Sequence, residues 1–244
     1  MKILNIAICF FGLTRSLKYT YKKIYENIFA VLRENGIHYD TYLHTYNLEV
    51  LTNPRSNETH LPLNSSEYKL LHPKYYHIGE QDAFFNSINL SDYLIHGDSW
   101  NDNANSARNL LCQYNSLNLV TEMWMMRQKQ KNYDLVLYLR PDLLYNRLNI
   151  SDLYYSYNNQ VILLPNYHQF GGYNDRIAVG PPFQMEIYGK RIKWLREYSK
   201  MKIMNGEMFV YYLLSPLLPQ EKFQLRGKRV RANGKINYLD VDLF

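Results

Sequence analysis

The chain opens on a run that is apolar almost throughout. Lys2 to Phe11 is rich in Ile and Phe, too short for a buried helix, and closed by the turn Gly12-Leu13-Thr14-Arg15. That pattern predicts a first strand buried on both faces. Leu17, Tyr21, Ile24, Tyr25, Ile28, Val31 and Leu32 then recur at helical spacing, with Lys18, Lys22, Lys23 and Arg33 on the opposite side, and Asn35-Gly36 supplies a stop. Tyr39 to Tyr46 follows as a second strand, so the chain begins as a βαβ unit.

Farther on the pattern loosens. Asn47 to Ser66 is polar, carries two prolines, and reads as a variable loop. Tyr75 to Ile78 reads as a strand, Asp82 to Ile88 as a short helix, and Gly97 to Asn105 as a loop. From Ser106 to about Gln130 a stripe of Ala107, Leu110, Leu111, Tyr114, Leu117, Val120 and Trp124 predicts the longest helix. It leads into Tyr133 to Leu139, an apolar strand of the kind found mid-sheet, which ends at Arg140-Pro141-Asp142. Short strands at Val161 to Leu164 and Arg176 to Val179, a turn at Gly171-Gly172, a helix from Phe183 to Tyr198, and another after Asn205-Gly206-Glu207 to about Leu214 complete the pattern, with one or two strands in the basic end. Alternating strands and helices indicate an α/β fold with a mixed central sheet flanked by helices, formed as one domain over residues 1–244.

Composition narrows this. With 46% hydrophobic and 20% charged residues, 11 Gly and 9 Pro in 244 residues, disorder and collagen are excluded. Cys9 and Cys112 read as buried thiols rather than a disulfide. No apolar run approaches the roughly 20 residues of a membrane-spanning helix. Asn5 and Thr14-Arg15-Ser16 interrupt the opening as a secretory leader, so the expectation is a soluble cytoplasmic protein. The sequons at Asn57, Asn64, Asn89 and Asn149 are what an Asn-rich chain shows by chance, and an A/T-rich genome accounts for the 24 tyrosines. The net charge of +6 sits almost wholly in Glu221 to Lys235, where Lys222, Arg226, Lys228, Arg229, Arg231 and Lys235 face one carboxylate. A charge so local argues for one phosphate-sized site or a solvated hairpin, and against a broad nucleic-acid footprint.

Ligands of open α/β sheets bind beyond the carboxyl ends of the strands, so polar residues placed there are the first candidates. After the first strand, Gly12 allows close approach to the backbone, Thr14 offers a hydroxyl, and Arg15 a fork for phosphate. After the central strand, Arg140 and Asp142 stand two residues apart on one side of an extended segment. Such a pair suits phosphate and a cation or sugar hydroxyl, or forms a plain strand-end ion pair. The seven histidines show no metal spacing, and no nucleophile elbow is present.

Together these segments resemble a family. The Gly-x-x-Arg turn, a helix bearing Asn105-Ser106 and Gln113-Tyr114, YDLVLYLRPDLLY, GGYNDRIAVG, Glu207 opening a late helix, and Arg229-x-Arg231-x-Asn-Gly are similar, in order and spacing, to viral and bacterial GT-A-type glycosyltransferases. The resemblance implies a Rossmann-like GT-A fold in which residues 1–145 bind a nucleoside diphosphate sugar of UDP or GDP type and residues 146–244 bind a saccharide or glycoprotein acceptor. It implies transfer of a hexose or deoxyhexose, with inversion. Gly12, Thr14, Arg15, Gln113, Arg140, Asp142, Arg176, Arg229 and Arg231 would hold the donor, and Glu207 and Asp175 would be the catalytic carboxylates, Glu207 favoured as base and Asp175 as sugar ligand. At the start of a helix the dipole is expected to lower the pKa of Glu207. Many such enzymes hold Mn²⁺ or Mg²⁺ on an Asp-x-Asp motif; here Arg140 replaces the first aspartate, leaving Asp142 as the expected metal ligand.

Two rivals from other classes are a sugar nucleotidyltransferase, which also needs a basic loop and an aspartate, and a polyanion-binding module built on the basic end. No nucleic-acid partner and no membrane span are expected for the favoured reading.

Overall fold

Successive side chains of the first strand enter two separate cores, which is what an unbroken apolar run does when both faces of a sheet are covered. The computed structural model describes residues 2–244. Strand β1 (Asn5–Phe11) sends Ile6, Ile8 and Phe10 into one core and Ala7, Cys9 and Phe11 into the other. It leads to helix α1 (Leu17–Ile24), which passes through a π-helical turn (Tyr25–Phe29) into α2 (Ala30–Glu34). Asn35 caps the segment, and Gly36 follows at φ +65°, a left-handed conformation that glycine adopts without steric cost. Strand β2 (His38–Tyr46) then pairs parallel with β1.

The central sheet runs β5-β2-β1-β6-β8, where β5 is Tyr75–Gly79, β6 Leu135–Leu139 and β8 Ala178–Gly180. The first four strands are parallel and β8 is antiparallel to β6. On one face lie α1, α2 and α5 (Ile150–Asn159). The short helix α3 (Gln81–Asn86) follows β5, and on the other face lie α4 (Asn105–Lys131), α6 (Pro182–Gly189) and α8 (Gly206–Leu214), packing Leu117, Val120, Trp124, Met185, Tyr188, Val210 and Leu214 against the sheet. This is a mixed α/β fold with a mostly parallel sheet between helices. Cys9 and Cys112 are both buried free thiols. Among the described residues no helix is long and apolar enough to cross a membrane.

Several sequence expectations are corrected. Residues 47–66 do not form a plain loop: β3 (Val50–Asn53) and β4 (Glu58–Pro62) pair as an antiparallel hairpin across a turn with Asn57 at φ +54°. The single helix expected over Phe183 to Tyr198 is broken into α6 and α7 (Ile192–Ser199). The break has a tertiary cause. A Cβ on Gly189 would lie 2.1 Å from Thr121 Oγ1 and 2.4 Å from the Tyr138 hydroxyl, while Arg191 turns inward, fully buried between the rings of Tyr114 and Tyr188. The strand expected over Val161 to Leu164 is reduced to bridges from Leu163 to Val179 and Gln220. Helix α5 and strand β7 (Leu143–Tyr145) were not anticipated. The latter pairs with β9 (Gly227–Arg229), a strand of the basic segment.

Candidate active site

The strand order changes direction between β1 and β6, since β1 is followed by β2 on one side while β6 lies on the other. In parallel sheets that is where a crevice opens. The register Phe10↔Leu139 brings the loops after both strands to one edge. Gly12 turns the chain there at φ +94°, and its N–H donates to Ser116 Oγ at 2.8 Å. The Arg140 backbone is gripped by Tyr145, whose hydroxyl accepts from Arg140 N at 2.9 Å and donates to Arg140 O at 2.7 Å.

A cavity of about 480 Å³ occupies this edge. Its wall includes Gly12, Arg15, Gln113, Arg140, Asp175, Arg176, Glu207, Arg229 and Arg231, residues scattered over most of the chain. Two expected residues stand outside the wall. Thr14 is buried, and its carbonyl accepts from Leu17 N at 3.0 Å; Asp142 lies behind the arginines at 1% exposure.

The carboxylates Asp175 and Glu207 are positioned by backbone devices. Asn174 accepts from the N–H of Arg176 at 3.0 Å and donates to Tyr167 O at 2.9 Å, fixing the turn that presents Asp175 and Arg176. Gln113 donates to Asp175 Oδ2 at 3.0 Å and accepts from Arg140, tying the central-strand arginine to this carboxylate. Buried Arg191 donates to the Asp175 carbonyl at 2.9 Å. Asn205 caps α8 by accepting from Met208 N at 3.0 Å, so Glu207 enters on the first helical turn. Gly172 packs flat on this turn: a Cβ there would be 2.0 Å from Glu207 O.

Arg176 stands between the two, with Nε 3.7 Å from Asp175 Oδ1 and Nη2 4.0 Å from Glu207 Oε1. Burial, reinforced by the charge of Asp175, pushes the Glu207 carboxyl up to about 7. The helix-dipole expectation is therefore corrected. With the side chain only 13% exposed, desolvation and a neighbouring carboxylate outweigh the dipole and the arginines. A carboxyl near neutrality is suited to exchanging a proton at ordinary pH.

Asp142 does not fit a divalent cation. Arg140 donates from Nε to Oδ1 at 2.8 Å and from Nη2 to Oδ2 at 2.7 Å, and Arg15 adds a third bond to Oδ2 at 3.2 Å. Burial alone would raise its pKa, yet the Arg140, Arg15 and Arg231 charges hold it well below the usual carboxylate range. A hard cation seeks about six oxygen ligands; here it would have to enter beside three guanidiniums. Among the described residues no group of three or more His, Cys, Asp or Glu side chains is placed to hold a metal. The expectation of Mn²⁺ or Mg²⁺ on Asp142 is thus not met by the donor set, and Arg140 in place of an aspartate is the reason.

The basic segment divides. Arg229 and Arg231, two residues apart, line the cavity. Lys228 instead reaches Val241 O at 2.7 Å, Arg226 pairs with Asn166, and Lys222 lies over Tyr155. Buried Asp240 holds Arg229 in place through Oδ2, 3.0 Å from its Nε. Sequence reasoning missed Arg55, Trp100, Phe170 and Tyr238 of the cavity wall, the buried Arg191 and Asp240, and above all Glu58. The turn Asn53-Pro54-Arg55-Ser56-Asn57 between apolar and β-prone residues was the signal available for the hairpin that carries Glu58.

No protein-family model matches the chain, and no curated protein matches it. Similar solved structures exist at low identity. Mouse xyloside xylosyltransferase 1, in its apo form, is 11% identical over 88% of this chain and 82% of its own, with a TM-score of 0.41. The apo glycosyltransferase GlyE of Streptococcus pneumoniae TIGR4 is 14% identical over 90% of this chain but 45% of its own, at 0.40. The galactosyltransferase LgtC, in complex with donor and acceptor sugar analogs, is 11% identical over 86% of this chain and 70% of its own, at 0.43. Overlaps this weak leave the functional reading to the site itself.

Proposed function

We propose that the chain is a nucleotide-sugar-dependent glycosyltransferase that moves a hexose or deoxyhexose to a saccharide or glycoprotein acceptor with inversion. One observation supports the reading: the lining of a single cavity includes Glu207, whose carboxyl burial and Asp175 push up to about 7, together with that second carboxylate and with Arg15, Arg140, Arg229 and Arg231. Glycosyl transfer needs these parts together, a base for the acceptor and cationic donors for the departing diphosphate.

In the step proposed, the acceptor oxygen forms a bond to the anomeric carbon from the face opposite the leaving group. Its proton passes to Glu207. The bond from the anomeric carbon to the diphosphate oxygen breaks, and its electron pair departs with the nucleoside diphosphate toward Arg15, Arg140, Arg229 and Arg231. Asp175, held by Gln113 and Arg191, binds sugar hydroxyls, and Arg176 tempers the charge of both carboxylates. Residues 1–145 supply most of the donor side, and 146–244 supply the carboxylates and the acceptor side. Trp100, Phe170 and Tyr238 line the cavity with aromatic surface of the kind on which a pyranose stacks.

The arginines face a cavity they share with carboxylates rather than forming an open basic surface, which disfavours the polyanion module. The test is turnover of UDP- and GDP-sugars with saccharide acceptors, followed as release of nucleoside diphosphate. Sugar transfer that is lost in Glu207→Gln supports the reading. Release of pyrophosphate from a nucleoside triphosphate and a sugar phosphate would instead identify a nucleotidyltransferase.

A further inference from the structure

Charges at the inner end of the cavity form an alternating chain. Arg140 holds both oxygens of Asp142. Arg15 reaches Asp142 Oδ2 at 3.2 Å with one nitrogen and Glu58 Oε2 at 3.1 Å with another. Arg231 stands 3.9 Å from that same Glu58 oxygen, whose partner Oε1 accepts from Ala232 N at 2.8 Å. The three arginines line the cavity; the two carboxylates, at 0% and 1% exposure, lie behind them. The carboxylate oxygens of Asp142 and Glu58 are therefore withdrawn from the wall and cationic nitrogen is presented in their place, while Asp175 and Glu207 are the carboxylates that remain on the lining.

We propose that Arg15, Arg140 and Arg231 seat the diphosphate of the donor directly, with no divalent cation between, and that Asp142 and Glu58 are buried struts that hold the three guanidiniums in place. This rests on the glycosyltransferase reading and deepens it. A guanidinium matches phosphate with two parallel charge-assisted bonds, and three of them can offset the charge that a metal would otherwise neutralise. The cluster has capacity to spare. Three cations share two carboxylates, Arg15 Nε is buried with no hydrogen-bond partner among the described residues, and burial with the like charges of Arg15 and Arg229 pushes Arg231 down to about 10. An incoming anion relieves that crowding, whereas an incoming dication adds to it. Fixed guanidiniums also meet the charge on the departing diphosphate without reorganising.

The experiment is calorimetric titration of the full chain with UDP, GDP, ADP and dTDP, each in excess EDTA and in excess Mn²⁺. At least one nucleoside diphosphate is expected to bind in EDTA with a Kd within about threefold of that in Mn²⁺. Arg15→Gln and Arg231→Gln are each expected to weaken it about tenfold or more, as loss of a charge-assisted contact does. Lys222→Gln and Lys235→Gln, outside the cavity, are expected to leave it unchanged; an equal loss there would reduce the binding to surface charge and overturn the proposal. Binding seen only with Mn²⁺, and abolished by Asp142→Asn, would make Asp142 a metal ligand and overturn the proposal while leaving the glycosyltransferase reading intact. Absence of binding by all four under both conditions would remove that reading as well.

Discussion

Arg15 Nη1 lies 3.1 Å from Glu58 Oε2, joining the turn after the first strand to a hairpin that the polar sequence of residues 47–66 presents as a loop. Glu58 is fully buried and serves two arginines and the Ala232 N–H together. It is the point at which the N-terminal turn, the β3–β4 hairpin and the basic end are fastened to one another.

Removing that charge leaves Arg15 and Arg231 without their shared counter-ion. Glu58→Gln is expected to lower unfolding free energy by about 3 kcal/mol, the cost of breaking a buried pair from one side. Urea denaturation with an unchanged m-value checks it; a loss within about 0.5 kcal/mol would show that the pair carries no stability.

The pH dependence of turnover follows from Glu207. A base must be unprotonated to act, so kcat is expected to fall about tenfold per pH unit below about 7, the value that burial and Asp175 impose. Glu207→Gln is expected to cost about 10²-fold or more in kcat with donor affinity within about twofold. A flat profile between pH 5 and about 8 would assign the proton to another group.

The same shift is a statement about stability. The folded-state pKa of about 7 lies above the ordinary 4.5, so the folded protein holds this proton more tightly than the unfolded chain. That stabilisation is complete below 4.5 and is lost as pH rises through about 7. From this group alone the decline is about 3 kcal/mol. Glu207→Gln is expected to abolish that part of the decline, so urea unfolding at both ends of the range should show the variant gaining on the parent toward alkaline pH. Parallel curves would contradict the assignment.

Gly172 tests the seating of α8. A Cβ 2.0 Å from Glu207 O and 2.5 Å from Met208 N must push the 169–173 turn off the helix start. Gly172→Ala is expected to cost about 1–3 kcal/mol in stability, as overpacking does, and about tenfold or more in kcat, because Glu207 moves with its backbone. Thermal unfolding and turnover measured on one preparation check both.

Much of the fold is local in origin and was legible. The apolar runs Lys2 to Phe11 and Tyr133 to Leu139 and the helical stripe from Ala107 to Trp124 each carry their period in consecutive residues, and each forms the expected element, the two strands starting later, at Asn5 and Leu135. The hairpin at 50–62 has only its Asn53 to Asn57 turn as a local signal, and the burial of Glu58 on it has none, because its partners Arg15 and Arg231 are distant in the chain. The break between α6 and α7 was hidden for the same reason, since Gly189 meets Thr121 and Tyr138 only after the sheet and α4 have packed.

At the site, position alone is enough to name Arg15 and Arg140 as candidates, because a polar group after an apolar strand is placed by the topology of an open sheet, whereas Asp175 and Glu207 are named by the family resemblance. Their electrical character was decided elsewhere. Whether Asp142 faces a ligand or is locked behind guanidiniums, and whether Glu207 follows its helix dipole or its buried surroundings, depends on charges and desolvation contributed by residues far apart in sequence. Those interactions vary with distance and burial, and neither exists until the chain has folded.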